Sequence, residues 1–350
     1  SVYKVRGLQS GVIGTISHRY GDTNLPASTT TPESLDINRM LYEMAEQKIS
    51  QCFLEVSSHS LSLKRVHGMH FAVGIFTNLS RDHLDYHGTM SAYAASKSRL
   101  FEEFPLKVAI LNADDPFSET LDTTPGVKVI TYGAGGEWRW EIIGNAQHVK
   151  KHVQWSGPHG MVEAEVGVVA DYALANMTAA LIAVVEMGFE PGRCGAALGQ
   201  IAPVPGRMEI IDSGPDKPLV IVDFAHTPDA LEQSLLALKK QFKKEIIIVF
   251  GCGGERDKKK RFKMGKIASK YCRKIFVTDD NPRNENPKKI RNSIIKGCKK
   301  LSVDIGSRKQ AIKTAIGELN SNEILLVAGK GHEKTQDYGN KIINFSDKKV

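Results

Sequence analysis

LVIVDFAHTPDALEQSLLALKKQFKKEIIIVFG, residues 219–251, determines the fold class expected for the second half of this chain. The stretch contains an apolar run rich in β-branched residues, a segment with helical spacing, and a second apolar run. Strands that alternate with helices pair in parallel, and near-continuous apolar strands are covered by helices on both faces. The stretch therefore predicts a doubly wound α/β domain.

The same alternation continues along most of the chain. FAVGIFTN, KVAILNADD and VKVITYG read as strands of a parallel sheet in the first half, whereas residues 138–170 alternate polar and apolar positions. That alternation predicts antiparallel strands inserted in the first domain. IAPVPGRME (residues 201–209) is the best linker candidate, since it contains two prolines and a glycine. We therefore expect two α/β domains, over residues 1–204 and 205–350.

Composition limits the class of protein. Of the 350 residues, 41% are hydrophobic and 25% are charged, which is ordinary for a soluble globular protein. No apolar run of membrane-spanning length occurs. The five cysteines are scattered without a CxxC pair, which favours reduced thiols in the cytoplasm over a disulfide framework or a zinc site.

Charge is distributed unevenly. Residues 239–350 hold 29 lysines and arginines against 12 acidic residues, and the rest of the chain is net acidic. A basic half is compatible with nucleic acid or with an anionic small substrate. The lysines come in scattered pairs without interleaved aromatic residues, and no nucleic-acid-binding signature is present. A solvated surface explains most of this charge, and we expect no nucleic-acid partner.

Four polar segments follow successive predicted strands of the second domain: DFAHTPD, GCGGERDKKK, DDNPRNENP and GKGHEK. Ligands of such sheets bind beyond the carboxyl ends of the strands, so all four should open on one edge. Gly251, Gly253 and Gly254 do not form a GxGxxG fingerprint, and no GxxxxGK[ST] motif occurs in the sequence. A plain glycine turn remains an alternative for that segment.

The first half has its own polar clusters after predicted strands. Glu55 ends one apolar run, and Asn78 and His83 follow the next. A carboxylate and an imidazole at one sheet edge suit a hard metal such as magnesium, whereas zinc would need more His or Cys ligands. Structural histidines are the alternative. Thr31, before Pro32, is also a reasonable helix N-cap that needs no ligand.

Eight motifs occurring together and in order resemble the Mur ligases: TTTPESLD, EVSSHSL, FTNLSRDHLDYHG, GRMEI, DFAHTPDAL, FGCGGERDKKKR, TDDNPR and AGKGHE. The resemblance covers essentially the whole chain. It implies a central ATPase-type parallel-sheet domain followed by a Rossmann-like C-terminal domain. It further implies an ATP-dependent ligase that adds meso-diaminopimelate to UDP-MurNAc-L-Ala-D-Glu through an acyl-phosphate, with ATP and Mg²⁺ as cofactors.

The resemblance also implies roles for individual residues. Magnesium would be held by Glu55, His83 and Lys97, the last as a carbamate; the catalytic set would be Lys97, His83 and Asn78. The ATP side would comprise Arg207, Asp223 and His226. The UDP-muramoyl substrate would be held by Thr30, Thr31, Ser57 and Arg65, although Leu63 stands where some relatives have a glutamine. Diaminopimelate would be held by Arg256, Asp280, Asn281, Pro282, Arg283, Gly329 and Glu333.

Two features of the family are not found in this sequence, namely the N-terminal uridine-binding domain and the P-loop. The resemblance therefore also predicts a chain truncated at the N-terminus, and slightly at the C-terminus, with little or no ligase activity by itself. We expect a cytoplasmic monomer that binds small-molecule substrates. The alternatives are another Mur ligase or a folylpolyglutamate-synthase-like ligase, a nicotinamide-dependent oxidoreductase, or a non-catalytic amino-acid-binding module.

Overall fold

A small four-stranded sheet opens the computed structural model, which describes residues 8–144, 150–211, 217–299 and 302–350. Its order is β3-β2-β1-β4, with β1 and β4 parallel and the other pairs antiparallel. Helix α1 buries Ile37, Met40 and Met44, whose spacing places them on one face. The bounds are β1 Gly11–Ile13, β2 Ser17–Tyr20, β3 Thr23–Pro26, β4 Cys52–Leu54 and α1 Ser34–Glu46.

A parallel three-stranded sheet follows, in the order β5-β6-β7. Thr89 caps the helix that leads into its middle strand, because its hydroxyl accepts the Ala92 N–H. A 3₁₀ turn spans Pro116–Thr120. The bounds are β5 Val73–Phe76, β6 Val108–Asn112, β7 Lys128–Tyr132, α2 Ser58–Ser62, α3 Leu84–His87 and α4 Met90–Glu102.

Three antiparallel strands in the order β10-β9-β8 confirm the prediction made for residues 138–170. Alternate residues of β9 are buried, among them Val153 and Trp155, and the Trp155 indole donates to Thr178 Oγ1 at 2.9 Å. These side chains pack in one core with Leu174 of α5. The bounds are β8 Arg139–Ile143, β9 Lys150–Gly157, β10 Gly160–Gly167, α5 Asp171–Glu186 and α6 Pro191–Gly199.

The rest of the chain is built on a six-stranded sheet in the order β11-β12-β16-β13-β14-β15. Every neighbouring pair is parallel except β11 with β12. The strands are β11 Glu209–Ile211, β12 Leu219–Asp223, β13 Glu245–Phe250, β14 Lys274–Val277, β15 Ser302–Asp304 and β16 Glu323–Ala328, followed by the hairpin β17 Thr335–Asp337 and β18 Ile342–Asn344. The helices are α7 Pro228–Phe242, α8 Lys259–Tyr271, α9 Pro287–Ile295, α10 Arg308–Gly317 and a 3₁₀ turn at Asp347–Lys349.

Strand β13 shows why this sheet is covered on both faces. Ile246, Ile248 and Phe250 enter one core, while Ile247 and Val249 enter another. Successive side chains of a strand point to opposite faces, so a strand buried on both sides must be apolar throughout. The doubly wound α/β class predicted from residues 219–251 is confirmed.

Parallel register places the functional loops together. Asp223 at the end of β12 and Phe250 at the end of β13 both pair with Ala328 at the end of β16. The four polar segments that follow these strands and β14 therefore leave the sheet at one edge, as the sequence predicted. Within the described residues, no helix combines the length and apolarity that a membrane crossing requires.

Candidate active site

A pocket lies at this edge of the sheet, and both halves of the chain line it. Asp82 and His83 lie in the loop after β5 and Asp85 lies in α3, whereas the remaining residues follow strands of the second sheet. The pocket contains residues of both charge signs at close quarters. The lining from the second half is Phe224, His226, Gly251, Cys252, Gly253, Arg256, Asp257, Lys260, Asp280, Asn281, Arg283, Gly329 and Glu333.

Asn281 is the centre of the loop after β14. Its Oδ1 accepts from Lys330 Nζ at 2.9 Å and from the Asp337 N–H at 3.0 Å. Its Nδ2 donates to Glu333 Oε2 at 2.9 Å. Two donors at the oxygen fix the orientation of the amide, so Asn281 ties β14, the loop after β16 and strand β17 into one unit.

Arg283 occupies the left-handed region, with φ +52°. Its N–H donates to the Asp337 carbonyl at 3.0 Å, and its Nη1 donates to the Gly254 carbonyl at 2.8 Å. A Cβ added to Gly254 would lie 1.9 Å from the Pro282 carbonyl oxygen, so only glycine fits there. The strained residue is held from both neighbouring loops, which is the expected situation at a functional site.

Glu333 is the acidic partner in this pocket. Its Oε2 accepts from Lys330 Nζ at 2.5 Å as well as from Asn281. Lys330 is fully buried, and the sequence motifs gave it no role. Arg256, by contrast, is half exposed and has its Nη1 3.8 Å from Asp85 Oδ2.

Asp280, on the same loop, contacts groups other than Arg283. Its Oδ1 accepts the Asn281 N–H at 2.8 Å, and its Oδ2 is buried 4.0 Å from Arg308 Nη1. Asp280 Oδ2 and Arg308 Nη1 both lack a hydrogen-bond partner among the described residues. Gly329 has φ +111°, and a Cβ there would lie 2.9 Å from Asp280 Oδ2. Asp280 therefore faces a buried cation that sequence reasoning missed.

A second buried arginine supports the loop after β13. Arg261 donates to both carboxylate oxygens of Glu285 at 2.7 Å and to the Gly253 carbonyl at 3.2 Å. The Arg261 hydrogen bonds lower the pKa of Glu285 to about 2, against the opposing effect of burial. This pair locks the glycine turn against the loop that carries Arg283.

Residues expected on the ATP side lie around the linker. The Arg207 guanidinium lies 4.7 Å from the centre of the Phe224 ring. Asp223 is buried and accepts the Met208 and Ala225 N–H groups and the Ser234 hydroxyl, so it fixes the linker to β12. His226 Nδ1 lies 2.9 Å from the Phe224 carbonyl oxygen.

Direct contacts join the two halves at the pocket. His226 Nε2 lies 3.5 Å from Asp82 Oδ2, and Arg81 donates to Asp257 Oδ2 at 3.2 Å. Burial opposes ionisation of Asp82, but its hydrogen bond and charge interaction with His226, together with His83, hold its pKa below the usual range. These contacts place the loop after β5 against the edge of the second sheet.

Glu55 lies at the end of β4, with its carboxylate exposed. Its Oε2 accepts from the Thr15 N–H at 2.9 Å and from Thr15 Oγ1 at 2.8 Å. Thr30 Oγ1 lies 3.0 Å from Thr15 Oγ1. One carboxylate oxygen is thus held by Thr15, and no described residue donates a hydrogen bond to the other.

The helix-cap interpretation of Thr31 is wrong, because α1 begins at Ser34 and its N-cap is Glu33. Thr31 Oγ1 instead donates to the Glu55 carbonyl at 2.8 Å and accepts the Ser57 N–H at 3.0 Å. Arg65 donates to the Thr31 carbonyl at 3.0 Å. These hydrogen bonds join Thr31, Ser57 and Arg65 into one cluster. Ser57 is also the N-cap of α2.

His83 has φ +54° and belongs to a group of rings with His59 and Tyr93. Burial lowers the pKa of His83, so the imidazole favours its neutral form. Lys97 Nζ lies 5.4 Å from the Tyr93 ring, and burial lowers its pKa although Asp115, Asp82 and Glu55 act in the opposite direction. Asn78 lies exposed after β5. Across the described ranges, no three His, Cys, Asp or Glu side chains form a metal-binding group.

Two families match this chain. Residues 1–184 match the family described as Mur ligase middle domain, and residues 206–331 match the Mur ligase glutamate ligase domain. The UDP-N-acetylmuramoyl-L-alanyl-D-glutamate–2,6-diaminopimelate ligase of Geobacillus kaustophilus is 38% identical over 362 aligned positions, covering 98% of this chain and 72% of the relative. The protein of the same name from Aquifex aeolicus is 39% identical over 351 positions, covering 98% and 71%.

Solved structures agree at the level of the fold. A structure of a UDP-N-acetylmuramoyl-L-alanyl-D-glutamate–2,6-diaminopimelate ligase is 31% identical, with a TM-score of 0.66, and the match covers 99% of this chain and 72% of that one. Escherichia coli FolC in complex with DHPP and ADP is 19% identical with a TM-score of 0.69, covering 94% of this chain and 81% of that one. The second likeness concerns the fold alone.

Proposed function

Because this chain belongs to the Mur ligase family, we propose that its residues serve an ATP-dependent ligase that joins meso-diaminopimelate to UDP-MurNAc-L-Ala-D-Glu in peptidoglycan precursor synthesis. The observation that carries the choice of amino acid is the loop after β14. There Arg283, in a strained conformation, and Glu333 line one pocket and present opposite charges.

The substrate explains why both signs are needed. Diaminopimelate carries a carboxylate and an ammonium at each end, whereas L-lysine lacks the distal carboxylate. A guanidinium can hold a carboxylate with two parallel hydrogen bonds, and Glu333 with nearby carbonyls can take the ammonium. A lysine substrate would leave the Arg283 cation without its anion, which disfavours it. Pro282, Asn281 and Gly329 shape the loops around these groups.

The first half supports a hard cation. Mg²⁺ keeps several water ligands and needs only one or two protein ligands, and Glu55 retains one carboxylate oxygen that no other described group holds. His83 is expected to be largely neutral at pH 7, since burial lowers its pKa. A carbamate on Lys97 would add the missing anion, because burial favours the neutral amine that reacts with carbon dioxide. When bound, Mg²⁺ offsets the negative charge of the phosphates.

The reaction joins a carboxylate to an amine. Phosphoryl transfer from ATP converts the D-Glu γ-carboxylate into an acyl-phosphate; the amine then forms the C–N bond, loses a proton, and phosphate leaves. The role of this chain is to orient the groups. The second half holds the amino acid on the loop after β14, and the contact between Asp82 and His226 brings that edge to the first half. Asn78, exposed after β5, belongs to the same proposal.

Some of the remaining site residues are candidates to contact a substrate, and the others hold the surrounding loops in place. Thr30 and Arg65 are candidates to touch the UDP-muramoyl substrate, whereas Thr31 and Ser57 use their hydroxyls within their own loop. Arg207 and His226 face the ATP side, and Asp223 fixes the linker behind them. Within the described residues none of the five cysteines forms a disulfide, which fits a cytoplasmic protein, and we include cytoplasmic location and a monomeric state in the proposal.

Calorimetry with meso-diaminopimelate and with L-lysine tests the choice of amino acid on this chain. We expect diaminopimelate to bind at least about tenfold more tightly, since the unpaired Arg283 costs on the order of 1.5–3 kcal/mol with the wrong ligand. Equal affinity for the two amino acids would contradict the proposed substrate. Binding of NADH instead would favour an oxidoreductase.

A further inference from the structure

Lys330 lies directly behind the amino-acid pocket, on the loop after β16. Its side chain is 0% exposed, and its Nζ donates to Asn281 Oδ1 at 2.9 Å and to Glu333 Oε2 at 2.5 Å. A buried ammonium is costly unless it is paired and hydrogen-bonded, and both conditions are met here. The two acceptors are residues that line the pocket.

The orientation of Asn281 does not depend on Lys330 alone. The Asp337 N–H donates to the same Oδ1 at 3.0 Å, which keeps Nδ2 directed at Glu333. Among the described residues, Lys330 is the cation that donates a hydrogen bond to the Glu333 carboxylate, and Arg308 acts on it only through a longer-range charge interaction. The specific contribution of Lys330 is therefore its positive charge next to Glu333.

The charged residues near the loop after β14 differ in how closely they are paired. Lys330 offsets Glu333 at 2.5 Å, whereas Arg308 is paired with Asp347 at 2.7 Å and lies 4.0 Å from Asp280. Arg283 has its Nη1 on a neutral carbonyl and its Nε 3.9 Å from Asp337, which is partly exposed. The guanidinium of Arg283 thus lacks a closely paired carboxylate.

We propose that Lys330 is a specificity-determining positioning residue for the amino-acid substrate. By offsetting Glu333, it leaves the pocket with the positive charge of Arg283, which selects an amino acid bearing a distal carboxylate over one that has only a distal ammonium. This inference rests on the proposed function, in which the pocket binds diaminopimelate. Lys330 acts through Glu333 and does not itself contact the ligand.

Calorimetry on three variants of the chain tests this role. Lys330→Met removes the charge with little change in length, and Lys309→Met removes the same charge from an exposed position of α10. We expect Lys330→Met to lower the preference for diaminopimelate over L-lysine by about tenfold, and Lys309→Met to leave it unchanged. Lys330→Met/Glu333→Gln removes both charges and should restore most of the preference.

Glu333→Gln alone should change the preference for diaminopimelate over L-lysine in the opposite direction. It leaves the Lys330 cation without its anion, so L-lysine should lose more affinity than diaminopimelate and the preference should rise. This variant keeps the test decisive if thermal melting shows that Lys330→Met is unfolded.

Equal losses of affinity for both amino acids in Lys330→Met, with no restoration in the double variant, would mean that Lys330 only supports the fold, and the inference would fail. A Glu333→Gln variant with unchanged or reduced preference would overturn it as well. Failure of the unmodified chain to prefer diaminopimelate would overturn the proposed substrate, and this inference with it.

Discussion

Arg81 donates to Asp257 at 3.2 Å, although the two residues are 176 positions apart and belong to different halves of the chain. Together with the 3.5 Å approach of His226 to Asp82, this contact places the loop after β5 against the edge of the second sheet. The Arg81–Asp257 pair is partly exposed, so it contributes about 0.5–1 kcal/mol to the free energy that holds the two halves of the chain together.

Removing this contact should loosen the two halves. We expect Arg81→Ala/Asp257→Ala to increase the rate of proteolysis in the linker (residues 201–209) by about two- to fivefold, because more molecules have the halves apart. Arg193→Ala is the control, since its ion pair with Glu190 lies within the first half and is exposed. Identical cleavage rates in all three proteins would show that the contact does not hold the halves together.

Arg283→Lys should weaken binding of diaminopimelate by at least about tenfold. The lysine keeps the charge but loses the planar fork that matches a carboxylate. Affinity for L-lysine should change much less, because that ligand has no distal carboxylate. Calorimetry measures both, with Arg193→Lys as the matched substitution outside the pocket. An equal loss for the two ligands would mean that Arg283 only shapes the loop.

The Arg261–Glu285 pair should make stability depend on pH. The pKa of Glu285 is lowered to about 2 by its hydrogen bonds to Arg261, from an ordinary value near 4.5. A carboxyl group with a lowered folded-state pKa stabilises the protein above pH ~4.5, and this stabilisation is lost as the pH falls towards ~2.

Glu285→Gln therefore should lower the free energy of unfolding by about 2 kcal/mol at pH 6 and by much less at pH 2–3. Urea unfolding at several pH values measures the difference between the two proteins. Glu102→Gln, at an exposed position, serves as the control. A difference that does not change with pH would contradict the assigned pKa.

Sequence reasoning was successful wherever a repeated pattern governs the structure. The apolar runs of 219–251 contain enough information to predict a parallel sheet, and parallel strands bring their following loops to one edge regardless of what those loops contain. The alternation around Trp155 likewise predicts the antiparallel strands. Each of these results depends on backbone geometry, which has few solutions.

The same reasoning failed where a residue's role depends on a distant partner. Lys330 and Arg308 are long cationic side chains that normally lie at the surface, and only the fold buries them beside Glu333 and Asp280. Thr31 precedes a proline as helix caps do, yet its hydroxyl contacts a neighbouring strand end instead. Such pairings leave no local signal in a single sequence.

Lys97 should form a carbamate in bicarbonate buffer at neutral pH. Burial lowers its pKa, so more of the amine is neutral than for an exposed lysine, and the neutral amine takes up carbon dioxide with release of one proton. ¹³C NMR in labelled bicarbonate should show one carbamate signal that is absent in Lys97→Arg and present in Lys107→Arg, an exposed control. A signal that survives Lys97→Arg would assign the modification to another amine.

Arg308 and Asp347 form a fully buried ion pair, with two hydrogen bonds of 2.7 Å, that anchors the last turn of the described chain to the sheet. Asp347→Ala would leave the guanidinium buried without its anion, so it should destabilise the second half by about 3–5 kcal/mol. Lys348→Ala, next to it but exposed, should cost less than about 0.5 kcal/mol. Arg308→Met/Asp347→Leu should recover most of the loss, because paired apolar side chains remove both charges. Hydrogen exchange of amides in β13 and β16 measures these free energies locally, and a small effect of Asp347→Ala would show that water reaches Arg308.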